Sequence, residues 1–68
     1  MKVMLDKQKL RAARQAKGLS QERLAELLDI SDRHMRNIEN HDVDIHAGLL
    51  YRLSRELGTT MNELMKSE

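Results

Sequence analysis

Apolar residues recur at spacings of three and four along most of the chain, and small polar residues or glycine interrupt them at short intervals. Such spacing lines up side chains on one face of a helix. The interruptions predict five short helices. The first runs from Asp6 or Lys7 to Lys17, with Asp6 as cap, Leu10, Ala13 and Arg14 on one face, and Gly18 where a left-handed residue closes a helix. Ser20 caps the second, which runs through about Leu28 and turns Leu24, Ala25 and Leu28 inward. Asp29 follows, and Asp tolerates the left-handed region better than most residues. Ser31 caps the third, with Met35 and Ile38 inward. A polar connection, about Asn40 to Ile45, leads to a fourth helix over His46 to Leu57, carrying Leu50, Leu53 and Leu57 and closed by Gly58. Thr60 opens a fifth short helix, with Glu63 completing a capping box and Leu64 as anchor.

Composition fits this helical reading and limits what the chain can be. It has 68 residues, no cysteine, no proline and one aromatic residue, Tyr51. A chain of this size buries only about 60% of its unfolded surface, so the core is small and depends on well-packed helices or a partner. Disulfides and thiolate zinc cages are excluded, and the missing cysteine fits a reducing cytoplasm. No apolar run is long enough to span a membrane, and the first ten residues lack the apolar stretch of a secretion signal. We therefore expect a single all-α domain over 1–68, located in the cytoplasm. The scarcity of aromatic residues argues against single-strand or RNA binding, which uses stacking platforms. Net charge is only +1, but residues 1–38 carry nine basic and five acidic side chains, and residues 39–68 carry three and six. The first half is the one suited to a polyanion.

The most informative span is Ser20 to Ile38. Two short helices flank a tight turn, Asp29-Ile30-Ser31, whose apolar Ile30 should be buried and pin one helix across the other. Helix-turn-helix units are built this way, and the second helix of such a pair fits the major groove of DNA.

Residues 10–65 resemble the lambda Cro/C1 repressor type, or XRE family. Its pattern is an arginine in helix 1, then G-L-S-Q-x-x-L-A, a V/I-S turn, and I-x-x-I/L-E-N. This chain has Arg14, Gly18, Leu19, Ser20, Gln21, Leu24, Ala25, Ile30, Ser31, Met35, Ile38, Glu39 and Asn40. The stretch from Leu53 to Met65 is similar to the family's closing L-x-x-x-L-G-x-x-x-x-x-L. The resemblance implies a compact five-helix repressor-like domain and a bacterial or phage transcriptional regulator, with the helix-turn-helix made by helices 2 and 3. The chain departs from the pattern after helix 3. His41 stands where the family usually has glycine, and Asp42 and Asp44 where it often has Lys or Arg. Those carboxylates put backbone contacts by that loop in doubt.

By position on the third helix, Asp32, Arg33, Arg36 and Asn37 are the candidate base contacts. Arg33 suits the O6 and N7 of guanine, Asn37 suits adenine, and Asp32 suits cytosine N4 or rejects other sequences. By resemblance, Gln21 and Asn40 contact the DNA backbone. Ser20 joins them as a candidate, although capping is the simpler role for it. Arg14 and Glu39 resemble the family's internal ion pair. Asp42, Asp44 and His46 would project to one side of an extended segment, as metal ligands might be arranged, with His41 nearby. A solvated connection explains them more simply, so no metal and no cofactor is expected. There is no glycine-rich phosphate loop, paired catalytic constellation or room for a deep pocket, so neither an enzyme nor a small-molecule ligand is expected.

The sequence thus predicts sequence-specific binding of double-stranded DNA by a repressor, as a weak homodimer on a palindromic operator. Its contact would lie either at Leu49, Met61 and Met65 or in the segment Met1 to Leu5. The alternative is a protein-interaction module on the same fold (an antirepressor, antitoxin or docking subunit), favoured by the acidic loop and the modest net charge.

Overall fold

Asp6, Ser20, Ser31 and Thr60 each precede a helix with extended backbone, and each accepts a hydrogen bond from an N–H of the first turn. These caps satisfy donors that have no partner inside the helix. In the computed structural model, which describes residues 1–66, the helices they open are α1 (Lys7–Ala16), α2 (Gln21–Leu28), α3 (Asp32–Asn40) and α5 (Met61–Leu64). The remaining helix, α4 (Ala47–Leu57), starts after His46, whose side chain makes no capping bond. Asp29 closes α2 in the left-handed region, at φ +57°. Gly58 closes α4 at φ +66°, and a Cβ there would also press on the Lys17 side chain, 3.1 Å from Nζ. The domain is mainly helical, as the periodicity predicts.

The buried core contains the apolar anchors Leu10, Leu24, Ala25, Leu28, Met35, Ile38, Leu50, Leu53, Leu57 and Leu64 expected from the helix faces, and Ala13 packs half-buried against it. Full burial of one such large side chain contributes about 1.5–3 kcal/mol. Ile30 packs half-buried against this core, and its N–H donates to the Ala25 carbonyl, which fixes the turn between α2 and α3. Arg52 of α4 donates to the Leu28 carbonyl and so caps the other end of α2.

Two short strands, β1 (Lys2–Met4) and β2 (Asp44–His46), were not expected. They pair antiparallel, with Lys2 opposite His46, Val3 opposite Ile45 and Met4 opposite Asp44. Alternation turns Val3 and Ile45 inward and puts Lys2, Met4, Asp44 and His46 on the outer face. Leu5 follows into the core and pairs across to Met65. The Asp6 N–H donates to the Leu64 carbonyl, and the Lys66 N–H to that of Met4. The two apolar segments read as rival dimer contacts are thus neighbours that complete the core. Leu49, Met61, Met65 and Val3 are all half-buried against it, leaving Met1, Met4 and Tyr51 as the exposed large apolar side chains.

Asp42 binds Lys7 Nζ at 3.1 Å and Lys66 Nζ at 3.4 Å, tying the α3–β2 connection to the start of α1 and to the chain after α5. These bonds hold its carboxyl below the ordinary aspartate range, hydrogen bonding to Lys7 first and to Lys66 second. A lowered folded-state pKa stabilises above the unfolded value, and that contribution is lost as pH falls through the folded value. Asp42→Asn is therefore expected to lower the melting temperature slightly at neutral pH. The difference from the parent should close as pH drops below about 4, the ordinary aspartate value, in a thermal-melt series from pH 7 to pH 2.

Candidate nucleic-acid interface

Glu39 lies on the inner side of α3 and is fully buried. A carboxylate in that position needs partners. Arg14 of α1 supplies two bonds, Nε to Oε2 at 2.8 Å and Nη2 to Oε1 at 3.2 Å. Gln21, at the start of α2, donates Nε2 to Oε1 at 3.2 Å, and the half-exposed Arg11 brings Nε to 3.6 Å. Arg14 also donates to the Leu19 carbonyl at 2.7 Å. One buried carboxylate therefore fastens α1, α2 and α3 together and fixes the angle at which α3 stands. The Arg14–Glu39 pair expected from the sequence is present, and Arg11 and Gln21 extend it.

The opposite face of α3 points outward. Asp32, Arg33, His34, Arg36, Asn37 and Asn40 are all exposed. Arg33 and Arg36 have no hydrogen bond or ion pair among the described residues, whereas Lys7, Arg11, Arg14, Arg23 and Lys66 are each engaged with a carboxylate. A guanidinium with no internal partner keeps all five donors for a ligand.

Three shallow grooves border this face. The first, on the α2 side, is lined by Ser20, Gln21, Asp32 and Arg36 among others. The second runs along α3 between Arg33, Arg36, Asn37, Asn40 and His41. The third separates α3 from the sheet and is bordered by His34 and Asn37 on one side and by Lys2, Asp44 and His46 on the other. Arg36 is common to the first two, and His34 and Asn37 to the last two, so the three make one band with α3 along its middle.

The backbone-contact candidates sit at two ends of the helix pair. Ser20 Oγ accepts from the Arg23 N–H at 3.0 Å, the capping role, and its hydroxyl proton remains for an acceptor. Gln21 spends one amide hydrogen on Glu39 and keeps the other. Asn40 ends α3, and its Oδ1 accepts from Arg11 Nη2 at 3.1 Å, which leaves the Asn40 NH₂ group to donate outward. Arg11 Nη2 also reaches the Glu39 carbonyl at 2.9 Å. Sequence reasoning did not single out Arg11, His34 or Lys2, and it weighed His46 only as a metal ligand or as part of the α3–α4 connection. Only His34 left a clear trace, standing three residues before Asn37 on the same helical face.

An exposed recognition helix on a three-helix anchor, bordered by unpaired cations, defines a DNA-binding transcriptional regulator. A helix-turn-helix family model matches residues 10–64, and the chain belongs to that family, in its XRE-type branch. Among solved structures, the chain is similar to the restriction-modification controller protein C.AhdI from Aeromonas hydrophila. The two are 32% identical, with a TM-score of 0.77, over 87% of this chain and 89% of that one. It is also similar to SinR, a master regulator for biofilm formation solved in complex with DNA, at 24% identity and a TM-score of 0.79, over 85% of this chain and 97% of that one. A third similar structure is the hypothetical transcription factor NHTF from Neisseria, at 22% identity and a TM-score of 0.73, over 91% of this chain and 81% of that one. Comparison with curated protein sequences gave no match.

Proposed function

We propose that the protein is a repressor that reads double-stranded DNA by laying α3 in the major groove. The observation that carries this reading is the exposed outer face of α3, on which Arg33 and Arg36 have no internal partner while Lys7, Arg11, Arg14, Arg23 and Lys66 are each engaged with a carboxylate. Arg33, Arg36, Asn37 and Asp32 face the base edges in this arrangement. Ser20, Gln21 and the first N–H groups of α2 meet one DNA backbone, where the helix dipole favours phosphate. Asn40 meets a phosphate at the other end. The SinR structure, a complex with DNA, supports the same use of the fold. No helix among the described residues is long and apolar enough to cross a membrane, and a cytoplasmic site of action beside the chromosome fits this activity. Binding alone, without catalysis, accounts for every residue of the site.

The rival reading, a docking module with little DNA affinity, drew on the acidic loop. Asp42 is turned to Lys7 and Lys66, so it does not present a bare charge to a phosphate. Asp44 and the modest net charge are what is left to support that reading.

We also propose a weak homodimer on a palindrome. Recognition helices one DNA turn apart are ~34 Å from each other, and the domain measures 29 × 22 × 19 Å along its principal axes. Two domains of that size fit side by side at that spacing. Tyr51, 51% exposed on α4, is the largest apolar side chain available for a contact between them. Selection from a random-sequence duplex library tests both statements. A palindromic motif with two protomers per duplex at saturation is expected. Recovery of no motif would end the sequence-specific reading, and a lone half-site with one protomer would end the dimer.

A further inference from the structure

The major groove is bounded by two sugar-phosphate backbones, one on each side of an inserted helix. On the α2 side, Ser20 and Gln21 are available to one of them. On the other side of α3 stands the outer face of the β1–β2 sheet, across the groove bordered by His34 and Asn37. Lys2 and His46 are directly opposite each other there, and cross-strand partners lie about 5 Å apart at Cβ. Both are exposed, and neither has a hydrogen bond or ion pair among the described residues. His46 precedes α4 without a capping bond, so its imidazole is not committed to the helix.

We propose that Lys2 and His46 form a second phosphate-binding surface, which holds the DNA backbone on the sheet side of α3. The inference rests on α3 being the DNA-reading helix. Lys2 supplies the charge and the His46 imidazole supplies a hydrogen-bond donor, with His34 on the α3 border of the groove. β1 thereby brings a cation to the place where the α3–α4 connection itself carries acid. Asp44 lies on the same face, opposite Met4, and no cation neutralises it among the described residues. It opposes the phosphate and moderates affinity. Lys2 and Asp44 act in opposite directions on one ligand, which is what a test can use.

The probes are a duplex carrying the motif recovered by selection on the full chain and a mixed-sequence duplex of equal length. Each phosphate contact contributes about 0.9 to the slope of log affinity against log salt. Lys2→Gln is expected to lower that slope by about 0.9. Its affinity should therefore fall about 3.5-fold less than the parent's between 50 and 200 mM salt. At low salt it should bind both duplexes more weakly than the parent, with the same base preferences. Lys2→Arg should keep the parent slope. Asp44→Asn should bind both duplexes more tightly, and His46→Ala more weakly. All three side chains are exposed, so melting temperatures should match the parent and separate these effects from misfolding. If Lys2→Gln and Asp44→Asn keep the parent's affinity and slope while Arg33→Ala loses binding, the sheet does not meet DNA and the functional reading stands. If the parent binds neither duplex, both readings fall together.

Discussion

Arg14→Ala is expected to lower folding stability by about 3–5 kcal/mol, the cost of removing one partner from a buried ion pair. Glu39 is fully buried and the Arg14 side chain is only 11% exposed, so solvent screens the pair little. Without Arg14, Glu39 retains one bond from Gln21 and a looser approach by the half-exposed Arg11. The Leu19 carbonyl also loses its donor from Arg14. At 4–8 °C per kcal/mol for a domain of this size, the melting temperature should fall by roughly 12–40 °C. A domain this small has only about 3–10 kcal/mol in total, at 0.05–0.15 kcal/mol per residue, so part of the population should be unfolded at 37 °C. Arg14→Lys keeps the charge but not the planar fork that spans both carboxylate oxygens, and its stability should fall between the two. Thermal melts with matched buffers decide the point: an Arg14→Ala variant melting within 3 °C of the parent would show that the network does not hold the helices together. DNA affinity should follow the folded fraction, because Arg14 borders the α2-side groove but its guanidinium is spent on Glu39 and the Leu19 carbonyl, where it sets α3 in place.

The elements that the sequence made legible are those governed by local chemistry. Capping oxygens at Asp6, Ser20, Ser31 and Thr60, left-handed closures at Asp29 and Gly58, and apolar spacing of three and four each have one structural solution over a few residues. All occur where they were expected. The sheet was not legible because its strands are three residues long and 40 positions or more apart in the chain. Each is too short to establish a period. The run Asp42-Val43-Asp44-Ile45-His46 does alternate polar and apolar, yet an ordinary polar loop can do the same, and only pairing with Lys2–Met4 distinguishes them. The roles of the acidic residues were illegible for a related reason. Asp42 and Asp44 look alike in sequence, but Asp42 is taken up by Lys7, 35 positions earlier, and by Lys66, 24 positions later. Asp44 faces outward on the sheet. Arg11 escaped because its partners are at the far end of α3, although Arg14, one turn further along α1, pointed to the same carboxylate. The outward face of α3 was readable from the inward positions of Met35 and Ile38 alone.

Arg33→Ala and Asn37→Ala are each expected to weaken binding to the selected duplex by about 1–3 kcal/mol, or roughly 5- to 150-fold, the usual loss for a bidentate base contact. The two variants should differ in how they lose it. Arg33 carries a charge with no internal partner, so its removal should also weaken binding to mixed-sequence duplex and reduce the salt slope slightly. Asn37 is neutral. Its removal should leave mixed-sequence binding and the salt slope at parent values and cost affinity only where an adenine is read. Both side chains are exposed and neither contributes to the Glu39 network, so folding stability should stay within about 0.5 kcal/mol of the parent. In a renewed selection, each variant should recover the parent motif with one relaxed position per half-site, and the two positions should differ. Arg36 and Asp32 serve as internal comparisons, since they border the α2-side groove. If both alanine variants recover the unchanged motif at parent affinity, α3 does not read the bases, and the discriminating contacts must come from another surface of the domain.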